Sequence, residues 1–216
     1  IAKNKILIDT YVTPTAISRS GNVGEEIDVL IRIGSCVLVG EVKCFVCPND
    51  PIDRFNYLEK LEDAADQATR KRDWLVGNPS LASQLIGSKT LNVNKCEFIP
   101  VVILNNGFGI GMEFGDAIVT DAHWLETILR EGSLSGGAKR DLSEKSFTTK
   151  TITIYNSESD FVKNARRILI KPPMLADFER STIWDSFQMP TSDGQELTVS
   201  RARLDNDLLV KSLGSF

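Results

Sequence analysis

The stretch from Glu25 to Lys43 restricts what this chain can build. Two apolar runs, Val29-Leu30-Ile31-Arg32-Ile33 and Cys36-Val37-Leu38-Val39, flank Gly34-Ser35. A two-residue loop containing glycine reads as a hairpin turn, because glycine accepts the positive φ that such turns require. That turn sets the register. Ile33 faces Cys36, and by continuation Asp28 faces Glu41 and Glu26 faces Lys43. Directly opposed Cβ atoms lie about 5 Å apart. Side chains alternate along a strand, so Glu26, Asp28, Glu41 and Lys43 share one face.

Two opposed carboxylates repel each other and call for compensation. A divalent cation is one compensator, since Mg²⁺ is held by one or two carboxylates with water and phosphate oxygens completing its shell. A lysine two residues beyond the second carboxylate would stand beside that ion, where it could stabilise a phosphate or orient a water. The plainer reading is a solvated strand face with an ordinary Glu/Lys pair.

Asp28, twelve intervening residues and then Glu41-Val42-Lys43 resemble the core signature of the PD-(D/E)xK nuclease superfamily. That superfamily includes many restriction endonucleases, the RecB-type nuclease domain and archaeal Holliday-junction resolvases. The resemblance extends to context: a hairpin, an apolar second strand ending in Glu-x-Lys, then a long helix. It covers residues 24–76 best and extends to about 130. Ile27 stands where many members have proline. The resemblance implies Mg²⁺- or Mn²⁺-dependent hydrolysis of DNA phosphodiester bonds, with RNA left open. Asp28, Glu41 and the backbone carbonyl of Val42 would hold the metal, and Lys43 would position a water or stabilise charge. Glu26 would be a further ligand or a partner that orients Lys43. Several branches carry a glutamine on the following helix, turned towards the active site. Gln67 resembles it; the alternative is an exposed helical glutamine. A second function stays open: a catalytically inactive nuclease-fold module for nucleic-acid binding or for assembly of a larger protein.

Composition sets bounds. The 216 residues suffice for one sizeable domain with an extension, and 42% hydrophobic content is globular. No apolar run approaches the roughly 20 residues of a membrane span, and no signal peptide is visible, so an intracellular setting (cytoplasm, nucleoid or nucleus) is expected. The first residue is Ile1 rather than Met, which reads as a piece of a longer chain, with added domains or a homo-oligomer as further partners. The net charge of −4 counts against strong non-specific binding of nucleic acid. Basic clusters are local: Arg70-Lys71-Arg72, Lys139-Arg140, and Lys163 with Arg166, Arg167 and Lys171. Arg70 and Lys71 are the candidate DNA contacts, although cations near a helix end also suit its dipole. Cys44 and Cys47 have a metal-knuckle or redox spacing. A four-cysteine zinc site is disfavoured, because Cys36 and Cys44 would sit ~27 Å apart along one strand. Reduced, buried thiols are expected.

Asp50-Pro51 begins a helix, with Asp50 as N-cap and Pro51 in its first turn. Tyr57, Leu61, Ala64, Ala68 and Leu75 make its buried stripe, and Gly77 ends it. Phe98 to Leu104 is a buried strand expected to begin after Pro100. Gly107 to Gly111 is a loop, because its GxGxG lacks the helix, Lys and Ser/Thr of a phosphate-binding motif. Ala117 to Thr120 is a strand, and Asp121 caps a helix to Arg130 in which His123 is structural. Residues 131–150 read as a polar loop, Thr151 to Tyr155 as a strand, and Ser159 to Ile170 as a helix stopped by Pro172-Pro173. Trp184, Phe187 and Met189 read as core or interface. The fold expected is α/β: a mixed central sheet flanked by helices, a restriction-endonuclease-like core over 1–135, with a C-terminal α+β extension over 136–216.

Overall fold

The structure is a computed structural model that describes residues 4–13, 25–87, 92–138, 148–190 and 196–205. The chain forms two compact units, Ile1–Leu134 with Thr153–Lys171, and Ser135–Ile152 with Pro172–Phe216.

The first unit is mixed α/β, as the sequence pattern predicts. Its six-stranded sheet comprises β1 (Thr10–Val12), β2 (Val29–Ile33), β3 (Cys36–Lys43), β4 (Glu97–Leu104), β5 (Glu113–Phe114) and β6 (Ala117–Asp121), in the order β1-β2-β3-β4-β6-β5. The strands β1, β2 and β3 form an antiparallel meander. The strands β3, β4 and β6 run parallel, and β5 folds back antiparallel on β6.

The hairpin has the expected register: Ile33 faces Cys36 and Val29 faces Gly40. Gly34 supplies a φ of 53° while Ser35 stays at negative φ, as in turns with glycine at the first central position. The ladder ends at the Val29–Gly40 pair, so Asp28 does not face Glu41, nor Glu26 Lys43, as strand partners. The Asp28 carboxylate explains why. Its Oδ2 accepts the Val42 N–H at 2.8 Å, filling the place of a strand carbonyl, and the chain bends away there.

Helices cover both faces. On one, Leu38, Ile31, Ile99 and Val101 pack with Trp124 and Ile128 of α3 (Ala122–Arg130) and with Phe161, Ala165 and Leu169 of α4 (Glu158–Ile170). On the other, Leu30, Val37 and Val39 meet Leu75 of α1 (Pro51–Gly77) and Ala82 of α2 (Pro79–Leu85). Further along α1, Tyr57, Leu61, Ala64 and Ala68 cover Val102, Leu104 and Val119. The start of α1 follows its sequence signals: Asp50 accepts the Asp53 N–H at 2.7 Å, with Pro51 in the first turn. Lys71 joins the buried stripe at 6% exposure.

Several expectations change. The strand β4 runs straight through Pro100. The β6 ladder begins only at Val101, so Pro100 has no ladder partner on that edge to ask for its missing donor. Within the expected loop 131–150, β7 (Ser133–Ala138) pairs with β8 (Thr148–Thr153), while Lys139 and Arg140 lie outside the described residues. A single break at 135 does not divide the chain. Thr153–Lys171 belongs to the first unit, because α4 supplies Phe161 and Leu169 to its core and Trp124 Nε1–H donates to the Ile168 carbonyl at 3.2 Å.

In the second unit, α5 (Pro173–Arg180) precedes an antiparallel hairpin of β9 (Thr182–Pro190) and β10 (Glu196–Leu204). Trp184, Phe187 and Met189 are exposed rather than core, since a two-stranded ribbon leaves both faces to water. The cysteines are free, but only Cys36 is buried. Cys44 and Cys47 are exposed in the loop after β3, and Cys96 is half-buried.

Candidate active site

Where β3 ends, its outward alternation places Glu41 and Lys43 on the face that α1 covers, two residues beyond buried Val39. Gly40 precedes them for steric reasons. A Cβ there would overlap Val29 Cγ1 and come within 2.9 Å of Ile103 Cδ1. Across this face α1 presents Gln67 and Lys71, four residues apart and so on one side of the helix.

These side chains form one network. Glu41 is 3% exposed and uses both oxygens. Its Oε1 lies 2.6 Å from Lys43 Nζ, and its Oε2 accepts a hydrogen bond from Lys71 Nζ. Lys43 Nζ also donates to Gln67 Oε1 at 3.0 Å. Lys71 Nζ stands 3.9 Å from Asp28 Oδ1, while Asp28 Oδ2 holds the Val42 N–H. A single ammonium therefore reaches both carboxylates. At the rim, Arg70 pairs with Glu25 at 2.9 Å, and Glu26 is exposed. Together these residues line an open cleft of about 400 Å³.

Burial on its own raises the Glu41 pKa. The hydrogen bonds from Lys43 and Lys71, with the charges of both lysines, outweigh burial and hold this carboxyl below the usual glutamate value.

Of the residues singled out in the sequence, Asp28, Glu41, Lys43 and Gln67 meet in the cleft. Val42 contributes its N–H to Asp28. Glu26 and Arg70 occupy the rim. Lys71 differs from the expected surface contact: it turns inward as a second lysine on Glu41. The sequence holds a signal for this, because Lys71 follows Ala68 by three and precedes Leu75 by four, on the apolar stripe where a lysine needs a partner. Arg72 bonds to Asp73 and Asp116, and Arg166 to Glu97 and the Asp116 carbonyl, so neither adds to a free basic patch.

The donor set suits a hard divalent cation. Asp28 Oδ1 and Glu41 Oε2 are carboxylate oxygens that both face Lys71 Nζ, and Val42 lines the same cleft. The 3.9 Å reach to Asp28 exceeds the roughly 2.0–2.1 Å of a Mg²⁺ ligand, so Asp28 would have to close in. Among the described residues no cluster of three or more His, Cys, Asp or Glu side chains could hold a metal, so a third protein ligand would come from the backbone. A second cleft of about 320 Å³ adjoins the end of β3, lined by Cys44, Cys47, Tyr57 and Lys60.

No family model, curated protein or solved structure matches this chain. Among the described residues, no helix is long and apolar enough to cross a membrane.

Proposed function

We propose that the chain is a metal-dependent nuclease that hydrolyses DNA phosphodiester bonds, with a restriction-endonuclease-like core. The carrying observation is the convergence of Asp28 and Glu41 on one point of an open cleft, beside Lys43 and Gln67. The topology supports it: an antiparallel hairpin ends in Glu-x-Lys, and a long helix crosses to the parallel strand β4.

Asp28, Glu41 and the Val42 carbonyl would hold Mg²⁺ or Mn²⁺. When bound, such an ion lowers the pKa of a water and offsets phosphate charge. Lys43, held between Glu41 and Gln67, presents an ammonium that orients the attacking water or stabilises charge growing on the phosphate. Gln67 positions Lys43 through their hydrogen bond. Arg70 at the rim can meet a phosphate once it leaves Glu25.

One observation favours a second reading, a nuclease-fold module without catalysis. Lys43 and Lys71 already offset the two carboxylates from within the chain.

The test is cleavage of plasmid and branched DNA with Mg²⁺ or Mn²⁺, with EDTA and Lys43→Ala as controls. Metal-dependent cutting that falls by about 10²–10³-fold in Lys43→Ala is expected of the enzyme. A folded chain that cuts none of these substrates points to the module instead.

A further inference from the structure

We propose that the Lys71 ammonium is the resident cation of this cleft, and that a divalent ion enters only by displacing it. The inference rests on the metal-dependent reading above.

The oxygens decide the geometry. Glu41 Oε1 is engaged by Lys43, and Asp28 Oδ2 by the Val42 N–H. The two oxygens left to a metal are Asp28 Oδ1 and Glu41 Oε2, and these are the two that Lys71 Nζ faces. A divalent ion binding both would stand where the ammonium stands. Two cations do not share that volume, and their repulsion is large at such separations in a half-desolvated cleft.

Burial favours the same conclusion. The Lys71 side chain is 7% exposed, while the Asp28 side chain is 28% exposed. A lysine so enclosed is held by its partners, because an unpaired buried ammonium is strongly disfavoured. Lys71 thus holds Glu41 in place before any metal arrives. It belongs to the helix opposite the hairpin, so it can leave Glu41 without disturbing the strand that carries that carboxylate. Lys43 differs: it approaches the other oxygen of Glu41 and is also held by Gln67, so it can stay when the ion enters. Lys71 is therefore a positioning residue whose departure is coupled to metal arrival.

The experiment is Mn²⁺ binding to the whole chain by calorimetry, with no DNA present. Wild type, Lys71→Met and Glu41→Gln are compared, and thermal unfolding in EDTA is followed for each. The expected result is Mn²⁺ binding at least about ten-fold tighter in Lys71→Met than in wild type, lost in Glu41→Gln. The EDTA form of Lys71→Met should melt lower than wild type and recover more on adding Mn²⁺. Lys71→Gln, which keeps a neutral donor towards Glu41, serves if the methionine variant does not fold. Equal or weaker binding in the lysine variants, with wild type still binding, overturns the displacement and leaves the metal reading standing. Absence of Mn²⁺ binding in wild type and lysine variants alike overturns the metal reading and the displacement with it.

Discussion

Glu41 is the residue on which opposing demands meet. It sits almost fully buried, and two lysines keep it charged. Its folded pKa lies below its unfolded one, so the carboxylate contributes stability above the ordinary glutamate value of 4.5. That contribution fades as pH falls through the lowered folded pKa. Replacing one member of a buried ion network leaves the others uncompensated, which costs about 3–5 kcal/mol. Glu41→Gln should therefore lower stability by that order at pH 7 in urea unfolding. The gap to wild type should close as the pH drops well below 4.5, where wild-type Glu41 is neutral too. A gap that is constant with pH would contradict this role for its charge.

At the scale of elements, the site depends on how closely β2, β3 and β4 approach at Gly40. Val29 Cγ1 and Ile103 Cδ1 fill the place a Cβ would take. Both belong to β-branched side chains with few rotamers to spare. Gly40→Ala is expected to destabilise by about 1–3 kcal/mol through overpacking, and to push Glu41 away from Lys71. Chemical unfolding measures the first effect. The second would show as weakened Mn²⁺ binding by the folded variant. Wild-type stability and metal affinity in Gly40→Ala would show that the strands have room to part. The helix α1 shows the reverse case, in which local chemistry suffices: Asp50, Pro51 and the apolar stripe to Leu75 specify its start and its buried face without reference to the sheet.

At the scale of the whole molecule, the first unit is closed by a segment that returns from late in the chain. Phe161, Ala165 and Leu169 of α4 share a core with Trp124 and Ile128. A chain cut after residue 135 should therefore lose cooperative unfolding, because it exposes the apolar face of the sheet. In the full chain, Phe161→Ala should cost about 3–5 kcal/mol. A 1–135 fragment with a sharp thermal transition and native-like helix content would sink this account.

Local patterns determined the hairpin register at Gly34-Ser35, the helix from Asp50, the strand into Asp121 and the shared strand face of Glu41 and Lys43. Each depends on turn chemistry, capping or side-chain period, which act over a few residues. Tertiary structure decided what those rules do not reach. It ended the ladder at Val29, because the Asp28 carboxylate took the Val42 N–H. It carried β4 through Pro100, one residue before the β6 ladder begins at Val101. It brought α4 back to complete the first core, and it buried Lys71 against Glu41. The physical reason is that burial of an apolar face, and the partner a polar group finds, both depend on neighbours that are distant in sequence.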